Sequence, residues 1–515
     1  LKAGLLWSAI LWGCAVTCGP SSAATAGPVP SKPAQLAEAA DRARLDAYFA
    51  ALANAGEFNG AVLVAERGQV VYQRAFGHAD FEARRANTND TEFEMASIAK
   101  VFTAVAVLQL KEQGRLGLDD PLAKYFPAFP YEAITIRQLL SHSSGLSDQD
   151  LAPAFAAYKA RIAPQRLSMN DLVPVLAEAK VDLKLRPGEK WWYCNLGYRL
   201  LALLVQDLSG ESFDRYLKAH ILRPAGMRRT YLKTVAIHRA DTPNLARNYD
   251  YPFRYSSQRV RLDYDEEATF GDAGVVSTTG DMLRLDRALR DGRLLKPETL
   301  REAYTPARLA DGGPDFVWLN IGGMGEADDG LGWFVFRDAH DGRIVWHTGG
   351  MPGCATLFLR NLDKDQVVVV FDNTGGEGLY KKGLSAMRLL NGEPPVAFTR
   401  SLARVYGRTL MADGADAAFV KLQDLRDQPE RYALGENDLN NLGYQFLEQG
   451  HTAQALETFR INAALHAQSD NAYNSYGEAL EKAGRIDEAV AMYRKSLRLN
   501  PDNTDSAEAL KRLSR

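Results

Sequence analysis

The sequence predicts an α+β domain, an antiparallel sheet with flanking helices and an inserted helical lobe, followed by an all-α tail. Apolar runs of strand length sit near both ends of residues 35–395, the stretch between them has helical periodicity, and the final segment repeats at a fixed spacing. The chain has 515 residues, 46% hydrophobic and 24% charged, ample for a packed core and longer than one ordinary domain. A net charge of −3 gives no ground for expecting nucleic acid or an acidic membrane surface as partner.

At the start, Lys2 precedes an apolar run from Leu5 to Val16. That run falls short of the roughly 20 apolar residues a membrane span needs. Ala24-Thr25-Ala26 then supplies the small residues of a cleavage site, so residues 1–26 read as a secretory signal peptide. The expected location is periplasmic or secreted, with no membrane span in the mature chain. A lipoprotein anchored at Cys14 or Cys18 fits less well, because the residues before each cysteine make a poor lipobox. Residues 27–34 form a Pro-rich linker. Cys194 and Cys354 remain after cleavage, too few for a disulfide framework, and are expected as buried thiols.

The domain proper is expected over residues 35–395. A helix at Gln35–Ala55 leads into strands at Ala61–Ala65 and Val70–Arg74, turned by Arg67-Gly68. From Glu94 to about Leu289 the pattern is helical, with helices at Ser97–Gln113, Thr135–Ser141 and Leu196–Leu208 stopped by Gly114, Gly145 and Gly210. Strands return at Trp333–Phe336, Ile344–Trp346, Thr356–Arg360 and Gln366–Phe371. A cleft between sheet and helical lobe is where a site is expected.

Residues 396–434 are expected as a helical linker, with Ala417–Leu434 supplying a leading helix, and residues 435–515 as repeats with a capping helix at Ser506–Ser514. Gly443 and Gly477 lie 34 residues apart, as do Gly450 and Gly484, Ala455 and Ala489, and Phe459 and Tyr493. That period, with small residues where helices cross, is the tetratricopeptide pattern, a possible docking surface for a protein partner.

Three short motifs carry chemistry. In Ser97-Ile98-Ala99-Lys100 the hydroxyl and amine share a helix face. The Ser97 amide at the helix start can hold a developing oxyanion. A lysine activates a serine only while its amine is neutral, which burial and a neighbouring cation favour. Tyr193-Cys194-Asn195 offers a phenol that can shuttle protons and a carboxamide that can orient an amine or a substrate amide. His347-Thr348-Gly349-Gly350 ends the strand Ile344–Trp346, and the Gly350 amide is a candidate second oxyanion donor. None of these is specific alone.

Their order, Ser-x-x-Lys, Tyr-x-Asn, His-x-Gly, resembles the serine β-lactamase and penicillin-binding-protein superfamily, in its class C β-lactamase-like branch. Gln138–Leu146, Ile221–Met227 and Gly274–Thr278 resemble recurring segments of that branch. The resemblance implies Ser97 as nucleophile, Lys100 as its activator and Tyr193 as general base and later acid. It implies Asn195 orienting Lys100 or substrate, His347, Thr348 and Gly349 lining the substrate site, and the Ser97 and Gly350 amides as the oxyanion hole. It implies no cofactor. The histidines His78, His142, His220, His238 and His340 lack metal-ligand spacing, so no metal is expected.

The branch's lysine is His347 here. A mostly neutral imidazole recognises a substrate carboxylate less well than a fixed ammonium. D-aminopeptidase-like members share His-x-Gly and family VIII esterases also depart from Lys-Thr-Gly, so a small amide or ester is the expected substrate. The alternatives are a β-lactamase or DD-peptidase, and a catalytically silent scaffold acting through the tail.

Overall fold

The computed structural model describes residues 32–233, 242–250, 260–262, 269–317, 327–336, 342–376, 378–397 and 399–513. The expected signal peptide and most of the expected linker lie outside them. Residues 1–40 and 41–515 cluster separately. Helix α1, Lys32–Asn54, begins inside the segment expected as linker, and its first nine residues are the described part of the former unit. Everything below concerns residues 41–515.

The strand-rich segments at both ends combine in one eight-stranded antiparallel sheet. Its strands are β1 Gly60–Glu66, β2 Gln69–Phe76, β3 Phe316–Val317, β4 Ala327–Asp329, β5 Phe334–Phe336, β6 Ile344–Met351, β7 Cys354–Asn361 and β8 Gln366–Asp372. Their spatial order is β3-β4-β5-β6-β7-β8-β1-β2. The last strand therefore pairs with the first, Val62 opposite Val370 and Leu63 opposite Val369.

Alternation along the strands separates two cores. Leu63, Val367, Val369, Phe358 and Phe371 face the helical lobe. Val62, Val64, Val368, Val370, Leu357 and Leu359 face the opposite layer, where Leu45 and Phe49 of α1 pack with Ala386 and Met387. Both faces are covered, which explains why these strands read as continuous apolar runs rather than alternating ones.

The lobe inserted between β2 and β3 is built on helix α2, Ala99–Glu112, buried almost all round. Its sequence AKVFTAVAVLQL carries no charge except Lys100, the pattern of a helix packed on every side. Helix α3, Asp148–Ile162, and helix α4, Asn195–Ser209, complete the part of the lobe that faces the site. Helix α5, Leu379–Leu390, follows the sheet.

The segment expected as linker holds two helices, α6 Leu402–Asp413 and α7 Ala415–Arg426. Their Leu402, Tyr406, Leu410, Ala418 and Leu422 share a core with Leu439, Leu442, Phe446 and Phe459 of the repeats. The expected leading helix ends at Arg426, short of Leu434. Helices α8 Glu436–Glu448, α9 Thr452–Leu465, α10 Asp470–Lys482, α11 Ile486–Leu499 and α12 Thr504–Leu513 follow. The 34-residue period has a steric cause. A Cβ on Gly443 would stand 2.6 Å from the Phe459 ring, and one on Gly477 would stand 2.8 Å from the Tyr493 ring. Arg404 on α6 reaches Glu57 beside the sheet at 3.6 Å, both nearly buried. Among the described residues no helix is long and apolar enough to cross a membrane.

Candidate active site

Ser97 sits in a single 3-10 turn, Ala96–Ile98, rather than in the first turn of an α-helix as expected. The preceding Ala96 has φ +44°, a left-handed conformation that costs a residue with a Cβ about 1 kcal/mol. Neighbouring bonds hold the turn: Met95 N–H donates to the Val275 carbonyl at 2.8 Å, and the Thr356 hydroxyl donates to the Met95 carbonyl at 2.9 Å. Gly349 must lack a side chain there, because a Cβ would lie 2.1 Å from the Met95 carbonyl oxygen.

Lys100 is fully buried, and a buried ammonium needs partners. It has three. Its Nζ donates to Ser97 Oγ at 3.1 Å, to Asn195 Oδ1 at 2.8 Å and to the Asp272 carbonyl at 3.0 Å. The Tyr193 ring centroid lies 4.9 Å from the same nitrogen. Ser97, Lys100, Tyr193 and Asn195, dispersed over a hundred residues of sequence, therefore meet around one amine.

Asp148 decides which way Asn195 points, and sequence reasoning missed it. Its carboxylate accepts from Asn195 Nδ2 at 2.9 Å, Asn195 N–H at 2.7 Å and Leu196 N–H at 2.9 Å. A carboxylate only accepts, so the amide nitrogen faces Asp148 and the amide oxygen is left for Lys100. The same carboxylate satisfies two of the N-terminal N–H groups that α4 leaves unpaired, those of Asn195 and Leu196. Cys194 Sγ also donates to Asp148, at 3.3 Å, and Cys354 Sγ donates to the Glu94 carbonyl at 3.2 Å. The two cysteines are separate buried thiols, and burial pushes both upward in pKa.

His347 lies within β6, which continues to Met351, and not at a strand end as expected. Its ring is buried and stacked on Phe334, with centroids 5.0 Å apart. Burial first, and the Lys100 charge second, lower its pKa to about 3. It is neutral at physiological pH. Nδ1 lies 2.7 Å from the Thr348 carbonyl, an acceptor, so Nδ1 carries the proton and Nε2 the lone pair. The Thr348 hydroxyl pairs with the Tyr380 hydroxyl at 2.8 Å.

Ser97, Tyr193, His347, Thr348 and Gly350 line one pocket of about 500 Å³, with Trp191, Trp192 and Phe334 as apolar walls. Gly350 has open space where a Cβ would stand. Trp191 is fixed by its indole N–H, which donates to Asp329 Oδ2 at 2.9 Å.

A second cavity of about 680 Å³, lined by Asn195, shares Asp148 with this pocket. Among the described residues no cluster of three or more His, Cys, Asp or Glu could hold a metal ion.

The fold and this cluster of serine, lysine, tyrosine and asparagine define a serine acyl-transferase or hydrolase class of protein. Residues 45–391 match the Beta-lactamase family model, and residues 470–503 match a tetratricopeptide repeat. The chain belongs to the beta-lactamase family of serine enzymes. It is similar to penicillin-binding protein 4* of Bacillus subtilis, 32% identical over 68% of this chain and 77% of that protein. An octameric penicillin-binding-protein homologue from Pyrococcus abyssi superposes with TM-score 0.57, at 25% identity over 68% of this chain and 78% of the other. The D-amino acid amidase of Ochrobactrum anthropi SV3 shares the fold, with TM-score 0.51 and 22% identity over 69% of this chain and 98% of its own.

Proposed function

We propose that this chain is an exported hydrolase that cleaves small amides or esters lacking a carboxylate next to the scissile bond, through an acyl-Ser97 intermediate. The observation that carries the reading is the Lys100 amine, 3.1 Å from Ser97 Oγ, in a pocket where the residue ahead of Thr348-Gly349 is a neutral histidine. A substrate carboxylate at that position would find no fixed positive charge on His347.

In the acylation step, Tyr193, activated by the Lys100 amine beside it, takes the proton from Ser97 Oγ as that oxygen attacks the carbonyl carbon. The oxygen that becomes negative is held by the Ser97 and Gly350 N–H groups. Tyr193 returns the proton to the leaving amine or alcohol as its bond to the acyl carbon breaks. Water then repeats the sequence, attacking the acyl carbon, releasing the acid and restoring Ser97 Oγ–H. The aromatic walls Trp191, Trp192 and Phe334 suit an apolar acyl or leaving group.

The likeness to penicillin-binding protein 4* favours a second reading, reaction with penicillins or D-Ala-D-Ala ends. The tail belongs to a class of module that commonly docks proteins. Turnover of p-nitrophenyl butyrate and D-alanine amide is to be compared with nitrocefin and D-Ala-D-Ala on the same preparation. Higher kcat/KM for the ester or amide supports the reading. Higher values for nitrocefin or D-Ala-D-Ala, or a long-lived penicilloyl adduct, would replace it with the second.

A further inference from the structure

One buried titratable group touches the proposed proton carrier and has no part in the steps above. His142 follows the short helix Ile136–Leu140 by two residues and has φ +55°, a left-handed conformation. Its buried ring is stacked on Tyr193, with centroids 4.2 Å apart and planes 29° from parallel. Its Nδ1 accepts the N–H of Cys194 at 3.2 Å, and its carbonyl accepts the N–H of Trp192 at 2.7 Å. With Nδ1 accepting, the proton sits on Nε2, and Nε2 has no hydrogen-bond partner among the described residues. Burial first, and the Lys100 charge second, keep the ring neutral.

A strained backbone and an unpaired buried N–H both weigh against His142 as a residue selected for stability alone. What it touches is the turn that carries the Tyr193 phenol and delivers Asn195 to Lys100. We propose that His142 is a positioning residue for Tyr193: its ring sets the plane of the phenol, and its Nδ1 and carbonyl pin the chain on either side of it. The proposal rests on the serine-hydrolase reading. It assigns His142 no proton transfer.

Two substitutions separate the two contacts. His142→Asn keeps a side-chain acceptor and tolerates the left-handed backbone but lacks the ring. His142→Phe keeps the ring and lacks the acceptor. Hydrolysis of p-nitrophenyl butyrate is measured for both and for His142→Ala, per site counted by exhaustive fluorophosphonate labelling of Ser97. Misplacing a reacting group by a fraction of an ångström lowers kcat and leaves uniform binding alone. The expected loss in kcat per labelled site is about 10-fold in each of Asn and Phe and about 100-fold in Ala, with KM within about 2-fold. A purely structural residue would lower the fraction of labelled sites and the melting temperature while leaving kcat per site unchanged. That result overturns the proposal, and the Asn and Phe pair decides if the alanine variant does not fold. Wild-type protein that neither labels nor turns over the ester fails the hydrolase reading, and the proposal falls with it. Wild-type turnover with unchanged kcat per site in the variants fails the proposal alone.

Discussion

Replacing Asp148 by asparagine should disable the site from a distance, because this carboxylate touches neither Ser97 nor Lys100 and yet determines what Lys100 meets. It accepts three N–H bonds at 2.7 to 2.9 Å, two of them from the start of α4. Hydrogen bonds to a charged acceptor contribute about 1.5–3 kcal/mol each, and a buried donor left without a partner costs about 1–3 kcal/mol. Asparagine keeps one acceptor oxygen but turns an NH₂ toward donors, so at least one N–H loses its partner and α4 loses its compensating charge. The expected destabilisation is about 3 kcal/mol, a fall in melting temperature of about 5–10 °C for a domain of this size. Catalysis should fall further than stability explains. Without the carboxylate, the Asn195 amide can turn its nitrogen toward Lys100, placing donor against donor where a 2.8 Å bond now stands. We expect kcat for p-nitrophenyl butyrate, measured well below the melting transition, to drop about 100-fold with KM little changed. Asp148→Asn with wild-type kcat and a melting temperature within about 1 °C of wild type would refute this chain of reasoning.

Two further outcomes follow from buried titratable groups. His347→Lys restores the ammonium of the related carboxylate-binding enzymes, and a charged hydrogen bond to a substrate carboxylate should raise nitrocefin reactivity by about 10- to 100-fold. Ester turnover should fall in the same variant, and unchanged nitrocefin reactivity would contradict the role assigned to His347. Asp315 is buried, and desolvation raises its pKa to about 7 although the Ser141 and Ser143 hydroxyls pull the other way. A carboxyl raised in the folded state binds more protons folded than unfolded between its ordinary value near 3.8 and about 7, so it lowers stability as pH rises through that window. Asp315→Asn should therefore melt higher than wild type at pH 8, by up to roughly 4 kcal/mol in stability, with no gain at pH 4. His142 and His347, both depressed, act in the opposite sense and lose stability as pH falls below about 6.5, and they should dominate the acid side of that variant's profile. A melting profile of Asp315→Asn parallel to wild type from pH 4 to 8 would show that the carboxyl is not desolvated.

What the sequence revealed were elements defined by local pattern or short motifs. The strand runs at both ends of the domain fall in one sheet, Gly443 and Gly477 meet Phe459 and Tyr493, and Ser97, Lys100 and Asn195 converge on one amine. The parts not legible are contacts between segments far apart in sequence. Asp148 caps a helix 47 residues downstream, and a Ser147-Asp148 pair at a helix start carries no mark of that second role. His142 reaches Cys194 across 52 residues. The Asp272 carbonyl beside Lys100 belongs to the backbone, which no side-chain pattern reports. Pro-rich composition hid the start of α1 at Lys32, because proline is tolerated in a first helical turn.

The proposed reaction places a covalent acyl group on Ser97, drawn from a substrate without a carboxylate. Intact-mass spectrometry of the protein, quenched in acid moments after mixing with p-nitrophenyl butyrate, D-alanine amide or a penicillin, measures it directly. The expected result is a butyryl or alanyl adduct that maps to Ser97 and is absent from Ser97→Ala, with no lasting penicilloyl adduct. A stable penicilloyl adduct without the others, or an acyl adduct that persists in Ser97→Ala, would contradict it.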